Sequence, residues 1–111
     1  MSDVQSQIEA EVKSNDVLLF MKGVPKMPQC GFSGQVVAIL DHLGVPFKGV
    51  NILESADLRQ GVKDYSNWPT FPQLYIKGEF VGGSDIVTEM YQSGELANLL
   101  TAKGIPHEPA A

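Results

Sequence analysis

The sequence is poor in cysteine: Cys30 is the only one in 111 residues. One thiol cannot close an internal disulfide, so no disulfide framework holds the fold. A structural zinc site would have to draw on both histidines, His42 and His107. A lone thiol suits a reducing compartment. Basic residues are also scarce, 8 against 13 acidic, leaving a net charge of −5. Nucleic acid is therefore not an expected partner, because phosphate binding needs a basic face. Nor is a membrane, since no apolar run approaches the roughly 20 residues of a span. Met1-Ser2-Asp3-Val4 has no basic or apolar signal region, and no Arg-rich transit peptide follows. The cytoplasm is the expected location, with the mitochondrial matrix open to an already processed form.

What is present fits an ordinary globular chain, 43% hydrophobic and 19% charged. Repeats, low-complexity runs and flexible linkers are missing. We expect one domain over residues 1–111, with about 104–111 as a flexible tail. Val4, Ile8 and Val12 predict an amphipathic helix capped by Ser2 or Asp3. Val17-Leu18-Leu19-Phe20-Met21 predicts a strand covered on both faces. Lys22 to Gln29, with Gly23, Pro25 and Pro28, reads as a loop.

A second helix is predicted from Gly31 or Phe32 to Leu43, stopped by Gly44 and Pro46, and a second strand over Phe47–Ile52. Ser55 caps a third helix carrying Leu58, Val62 and Tyr65. Gln73–Ile76 and Phe80–Val81 flank a hairpin turn. Ser84 caps a fourth helix, Gly94 breaks it, and Leu96, Leu99 and Leu100 mark a fifth. The order predicts an α/β fold: a four-stranded mixed sheet flanked by about five helices.

Cys30 stands where a loop meets a helix, in Pro28-Gln29-Cys30-Gly31-Phe32-Ser33. A helix N-terminus offers unpaired N–H groups and about half a positive charge, both favouring thiolate. Lys22 and Lys26 lie upstream, and no acidic residue occurs between Asp16 and Asp41. A buried structural cysteine is the plainer alternative. Ser33 occupies the position of the resolving cysteine in Cys-x-x-Cys, and serine cannot resolve a disulfide. Chemistry through Cys30 therefore needs an external thiol, or it is not thiol–disulfide exchange at all. Thiolate is also the preferred ligand of iron–sulfur clusters, and two chains each holding a small thiol such as glutathione would supply four sulfurs.

A glutathione site needs cations for carboxylates and backbone partners for the peptide. Taken alone, Lys22 and Arg59 are better explained as solvated surface cations. Gly82-Gly83-Ser84-Asp85 reads equally as an anion pocket, with Asp85 for an amine, or as a plain hairpin exit and cap. A cis Phe71-Pro72 bond would offer the Phe71 backbone to an extended peptide. Trp68, in a loop, is better explained by packing. His42 sits late in the second helix and His107 in the tail; neither is an expected ligand.

Taken together, these segments resemble the monothiol (CGFS-type) glutaredoxins in single-domain form. The resemblance rests on Cys30-Gly31-Phe32-Ser33, on Lys22-Gly23 with the long Val24–Gln29 loop, on Trp68-Pro69-Thr70-Phe71-Pro72-Gln73, and on Gly78 through Ile86. It spans roughly Val4 to Leu100. It implies a thioredoxin-like fold with Pro72 in cis and a glutathione site shaped by Thr70, Pro72 and Gly83. Lys22 and Arg59 would meet the glycine-end carboxylate, the Phe71 backbone the cysteinyl segment, and Ser84 and Asp85 the γ-glutamyl end. It also implies a [2Fe–2S] cluster bridging a homodimer, with Cys30 as each subunit's ligand. Clusters would pass to apo iron–sulfur acceptors, with BolA-like partners. Many relatives have cysteine where this chain has Ser84, so a disulfide to that position is out of reach here. The expected function is cluster carriage. The alternative is a glutathione-dependent oxidoreductase with Cys30 as catalytic nucleophile, and a third reading is an interaction module with an incidental thiol.

Overall fold

Strand β1 (Val17–Met21) is buried at all five positions and forms the centre of the sheet. The structure, a computed structural model, describes residues 3–108. Side chains alternate across a strand, and here the alternation sorts two cores. Val17, Leu19 and Met21 pack with α2 (Gly31–His42), α4 (Ser84–Ser93) and α5 (Glu95–Ala102). Leu18 and Phe20 pack on the other face with α1 (Asp3–Ser14) and α3 (Ala56–Ser66). The apolar run predicted to be covered on both sides is so covered.

β1 pairs in parallel with β4 (Lys48–Asn51) and antiparallel with β5 (Gln73–Ile76), and β5 pairs antiparallel with β6 (Glu79–Gly82). The sheet order is therefore β4-β1-β5-β6. The α2 crossover between parallel strands and the hairpin between β5 and β6 are as expected, and the architecture is the thioredoxin-like one.

Four local expectations change. The stretch Lys22–Gln29 is not a plain loop. It folds into a two-stranded ribbon, β2 (Gly23–Val24) with β3 (Met27–Pro28), closed by Gln29 N–H donating to Lys22 C=O at 2.8 Å. Gly23 makes this possible, since its φ is +93° and a Cβ there would lie 2.6 Å from the Gln29 nitrogen. β4 is shorter than Phe47–Ile52, because Asn51 Oδ1 accepts from Leu53 N–H and turns the chain into a 3-10 segment at Ile52–Glu54. Asp3 lies inside α1 and is not its cap; Ser2 is outside the described residues. Lastly, the segment Gly104–Glu108 is anchored at two points. Ile105 is buried in the α2/α4/α5 core, and Glu108 N–H donates to Leu43 C=O. Residues 109–111, also predicted as tail, lie outside the described residues.

Candidate functional site

β1 delivers Lys22 to one end of the sheet, and the ribbon returns the chain there to start α2. Cys30 is the N-cap of α2, with extended backbone (φ −150°, ψ 135°), and its side chain makes no capping bond. The sulfur is half-buried at the head of the helix. Ser33 is fully buried and accepts a hydrogen bond from Lys22 N–H through Oγ at 3.1 Å, tying the first turn of α2 to the end of β1.

The Ser33 backbone N–H is the main influence on the thiol and draws its pKa below the ordinary value. Partial burial pushes the other way. The Phe32 N–H, the Lys22 charge and the Ser33 hydroxyl add to the lowering. Because the folded value is depressed, the thiolate stabilises the fold above the unfolded thiol's titration. That gain is lost as pH falls through the folded value. Alkylation by iodoacetamide should accordingly titrate at lower pH than in the urea-unfolded chain, and Lys22→Met should move the midpoint back up. Coincident midpoints in folded and unfolded protein would contradict the assignment.

Cys30 opens into a groove of about 400 Å³. Eight of the nine residues singled out from the sequence line it: Lys22, Cys30, Arg59, Thr70, Phe71, Gly83, Ser84 and Asp85. Pro72, the ninth, is buried behind the wall, after a cis Phe71–Pro72 bond. Lys26, expected near the thiol, does not line the groove. α3 and α4 pack on opposite faces of the sheet, so the groove spans the sheet end from one layer to the other. Arg59 comes from the α3 layer and Asp85 from the α4 layer. Ion pairs among the described residues involve Lys13, Lys48, Lys77 and Lys103, leaving the groove cations and Asp85 unneutralised.

Ser84 does not cap α4 as expected. Gly83 is the N-cap and Ser84 the first helical residue. Its Oγ instead donates to Gln35 Oε1 at 3.3 Å, and Gln35 Nε2 donates to Thr88 Oγ1 at 2.9 Å, bracing α4 against α2. A Cβ at Gly83 would lie 3.3 Å from Pro72 C=O, a tight contact, and 3.5 Å from Trp68 Nε1, an ordinary one.

Sequence reasoning overlooked Lys63, a third groove cation one helical turn after Arg59. Its i, i+4 spacing from Arg59 was the available signal. Phe32 and Ile86 also line the groove, 59% and 38% exposed. Trp68 packs on Phe80, with ring centres 5.7 Å apart, and lines the groove as well. Its Nε1 is buried with no hydrogen-bond partner in the structure. Among the described residues no cluster of three or more His, Cys, Asp or Glu could hold a metal ion. No helix there is long and apolar enough to cross a membrane.

Comparison with known proteins agrees with this geometry. The glutaredoxin family model matches residues 17–81. A probable monothiol glutaredoxin 2 of Rickettsia conorii is 62% identical over 95 residues, covering 86% of this chain and 89% of that protein. The solution structure of a monomeric truncated mutant of Trypanosoma brucei 1-C-Grx1 is 42% identical with a TM-score of 0.88, covering 98% and 99% of the two chains. A crystal structure of a buckwheat glutaredoxin–glutathione complex is 25% identical with a TM-score of 0.79, covering 91% and 90%. With one thiol at the head of α2 and a groove beside it, the chain belongs to the glutaredoxin family, in its monothiol branch.

Proposed function

We propose that this chain holds glutathione in the Cys30 groove and, paired with a second copy, carries a [2Fe–2S] cluster as cargo to acceptor proteins. The observation that carries the proposal is a single uncapped, half-buried thiol beside a groove whose charges are unpaired. Glutathione has two carboxylates and one amine, matching Lys22, Arg59 and Lys63 on the α3 side and Asp85 on the α4 side. The groove volume lies within the range of small-molecule sites. The buckwheat relative is described with glutathione bound.

The donor chemistry fits the cargo only in a pair. One chain offers one thiolate, and a glutathione held beside it offers a second sulfur. Two such chains complete four sulfurs, the usual set for a [2Fe–2S] cluster. Phe32 and Ile86, apolar and exposed at the groove, suit a second copy or a BolA-like partner covering it. The chain's own residues do the rest: the Ser33 and Phe32 N–H groups favour the Cys30 thiolate, and the groove cations position the tripeptide. The lone thiol supports a reducing location, the cytoplasm or, for a processed form, the mitochondrial matrix.

The lowered Cys30 pKa favours a second reading, deglutathionylation. Cys30 thiolate would attack the glutathione sulfur of a mixed disulfide, releasing the protein thiolate. A glutathione thiolate would then attack the Cys30 adduct, restoring Cys30 and leaving oxidised glutathione. Steady-state turnover of about 1–10³ per second would favour this reading.

Anaerobic reconstitution with ferrous iron, sulfide and glutathione tests the carrier reading. The expected product is a coloured dimer with equal iron and sulfide, one cluster per pair of chains. A colourless monomer, under conditions that reconstitute other clusters, overturns it.

A further inference from the structure

We propose that Gln73 is a positioning residue for the ligand groove, its buried amide pinning the Trp68–Phe71 loop that forms one groove wall. This rests on the glutathione reading above for its ligand, though not for its geometry. Gln73 opens β5 and is fully buried. Its Nε2 donates to Trp68 C=O at 3.2 Å and to Thr70 C=O at 3.1 Å. Its Oε1 accepts from Tyr75 Oη–H at 3.3 Å. Both amide hydrogens are thereby used on the loop, and the donor on the far side fixes which way the amide faces. Burial pushes the Tyr75 hydroxyl up to about 12, so it remains a donor at any working pH.

The loop held this way has no regular secondary structure of its own. Two of the carbonyls that would otherwise lack sheet or helix partners are those Gln73 satisfies. What the loop presents is the groove wall itself: Trp68, Pro69, Thr70 and the Phe71 backbone. A buried glutamine at the start of a central strand contributes little to an apolar core. Its satisfied amide instead ties the strand, which has ladder hydrogen bonds, to the wall, which has none of its own.

Gln73→Met keeps length and bulk and removes both donors; Gln73→Asn, shorter by a methylene, is the second variant should the first fail to fold. Leu100→Ala, in the α5 core far from the loop, controls for general destabilisation. Calorimetric binding of S-methylglutathione avoids the Cys30 titration. Acrylamide quenching of Trp68, the only tryptophan, reports the loop without any ligand. Either Gln73 variant should weaken binding about tenfold, the effect of lost buried hydrogen bonds, and should raise quenching of Trp68. Leu100→Ala should do neither. Unchanged quenching in a folded Gln73 variant, or equal losses in Leu100→Ala, overturns the assignment. Absence of binding by the wild-type protein would instead overturn the glutathione reading, and the quenching comparison would still decide the role of Gln73.

Discussion

Cys30→Ser protein, reconstituted beside the wild type, should emerge colourless, free of iron and sulfide, and monomeric. The expected effect is total because serine cannot replace the sulfur. Its hydroxyl does not ionise near neutral pH, and thiolate is what the cluster requires. Nor does the substitution threaten the fold. Cys30 makes no capping bond as it stands, and serine is a preferred N-cap residue. The thermal midpoint should therefore match or exceed that of the wild type at low pH, where the Cys30 thiolate contributes nothing. Undiminished iron in a folded Cys30→Ser protein would place the cargo elsewhere and end the carrier reading.

Removing the groove cations should produce the second-largest change. Lys22 is half-buried and Arg59 exposed, so Lys22 is screened less and should matter more. A charge-assisted hydrogen bond is worth about 1.5–3 kcal/mol, roughly tenfold or more in affinity. Lys22→Met alone should approach that figure, Arg59→Met should fall below it, and the double variant should lose more than either. Wild-type affinity for S-methylglutathione should also weaken with added salt, and the double variant's dependence should be shallower. Neither change should unfold the protein, since Lys22 holds Ser33 through its backbone N–H, which any residue supplies. Affinity within about threefold of wild type in the double variant would mean the carboxylates are met elsewhere.

The sequence made the sheet legible through β1. Five consecutive apolar residues can only be a strand covered on both faces or part of a buried helix, and the flanking Asp16 and Gly23 set the length. The stops at Gly44 and Gly94 were equally readable. The β2–β3 ribbon was not, because two residues per strand carry no periodicity and Pro25 and Pro28 read as loop. The packed segment after Gly104 was missed for a similar reason: a single Ile105 has no pattern.

Within the site, Cys30, Arg59 and Asp85 could be named from residue type and local context. Their meeting in one groove follows from α3 and α4 packing on opposite sheet faces, a tertiary fact. A cis bond at Pro72 was an open possibility from the residues and became an expectation only through family resemblance, since most X–Pro bonds are trans. Ser84 was placed one residue wrong because Gly83 can also adopt the extended N-cap conformation. Gln73 was read only as the start of a strand and part of a motif, because a lone amide opening a strand carries no signal of its partners.

Cys30 is half-buried, and serine stands at both Ser33 and Ser84, where a second sulfur would have served. A peroxide-derived sulfenic acid at Cys30 has no second thiol in its own chain with which to close a disulfide. Without a thiol from solution it advances to the sulfinic and sulfonic states, from which simple reductants do not recover it. Recovery of Cys30 through a disulfide thus draws on thiols from solution, which ties this protein's tolerance of peroxide to the ambient thiol supply.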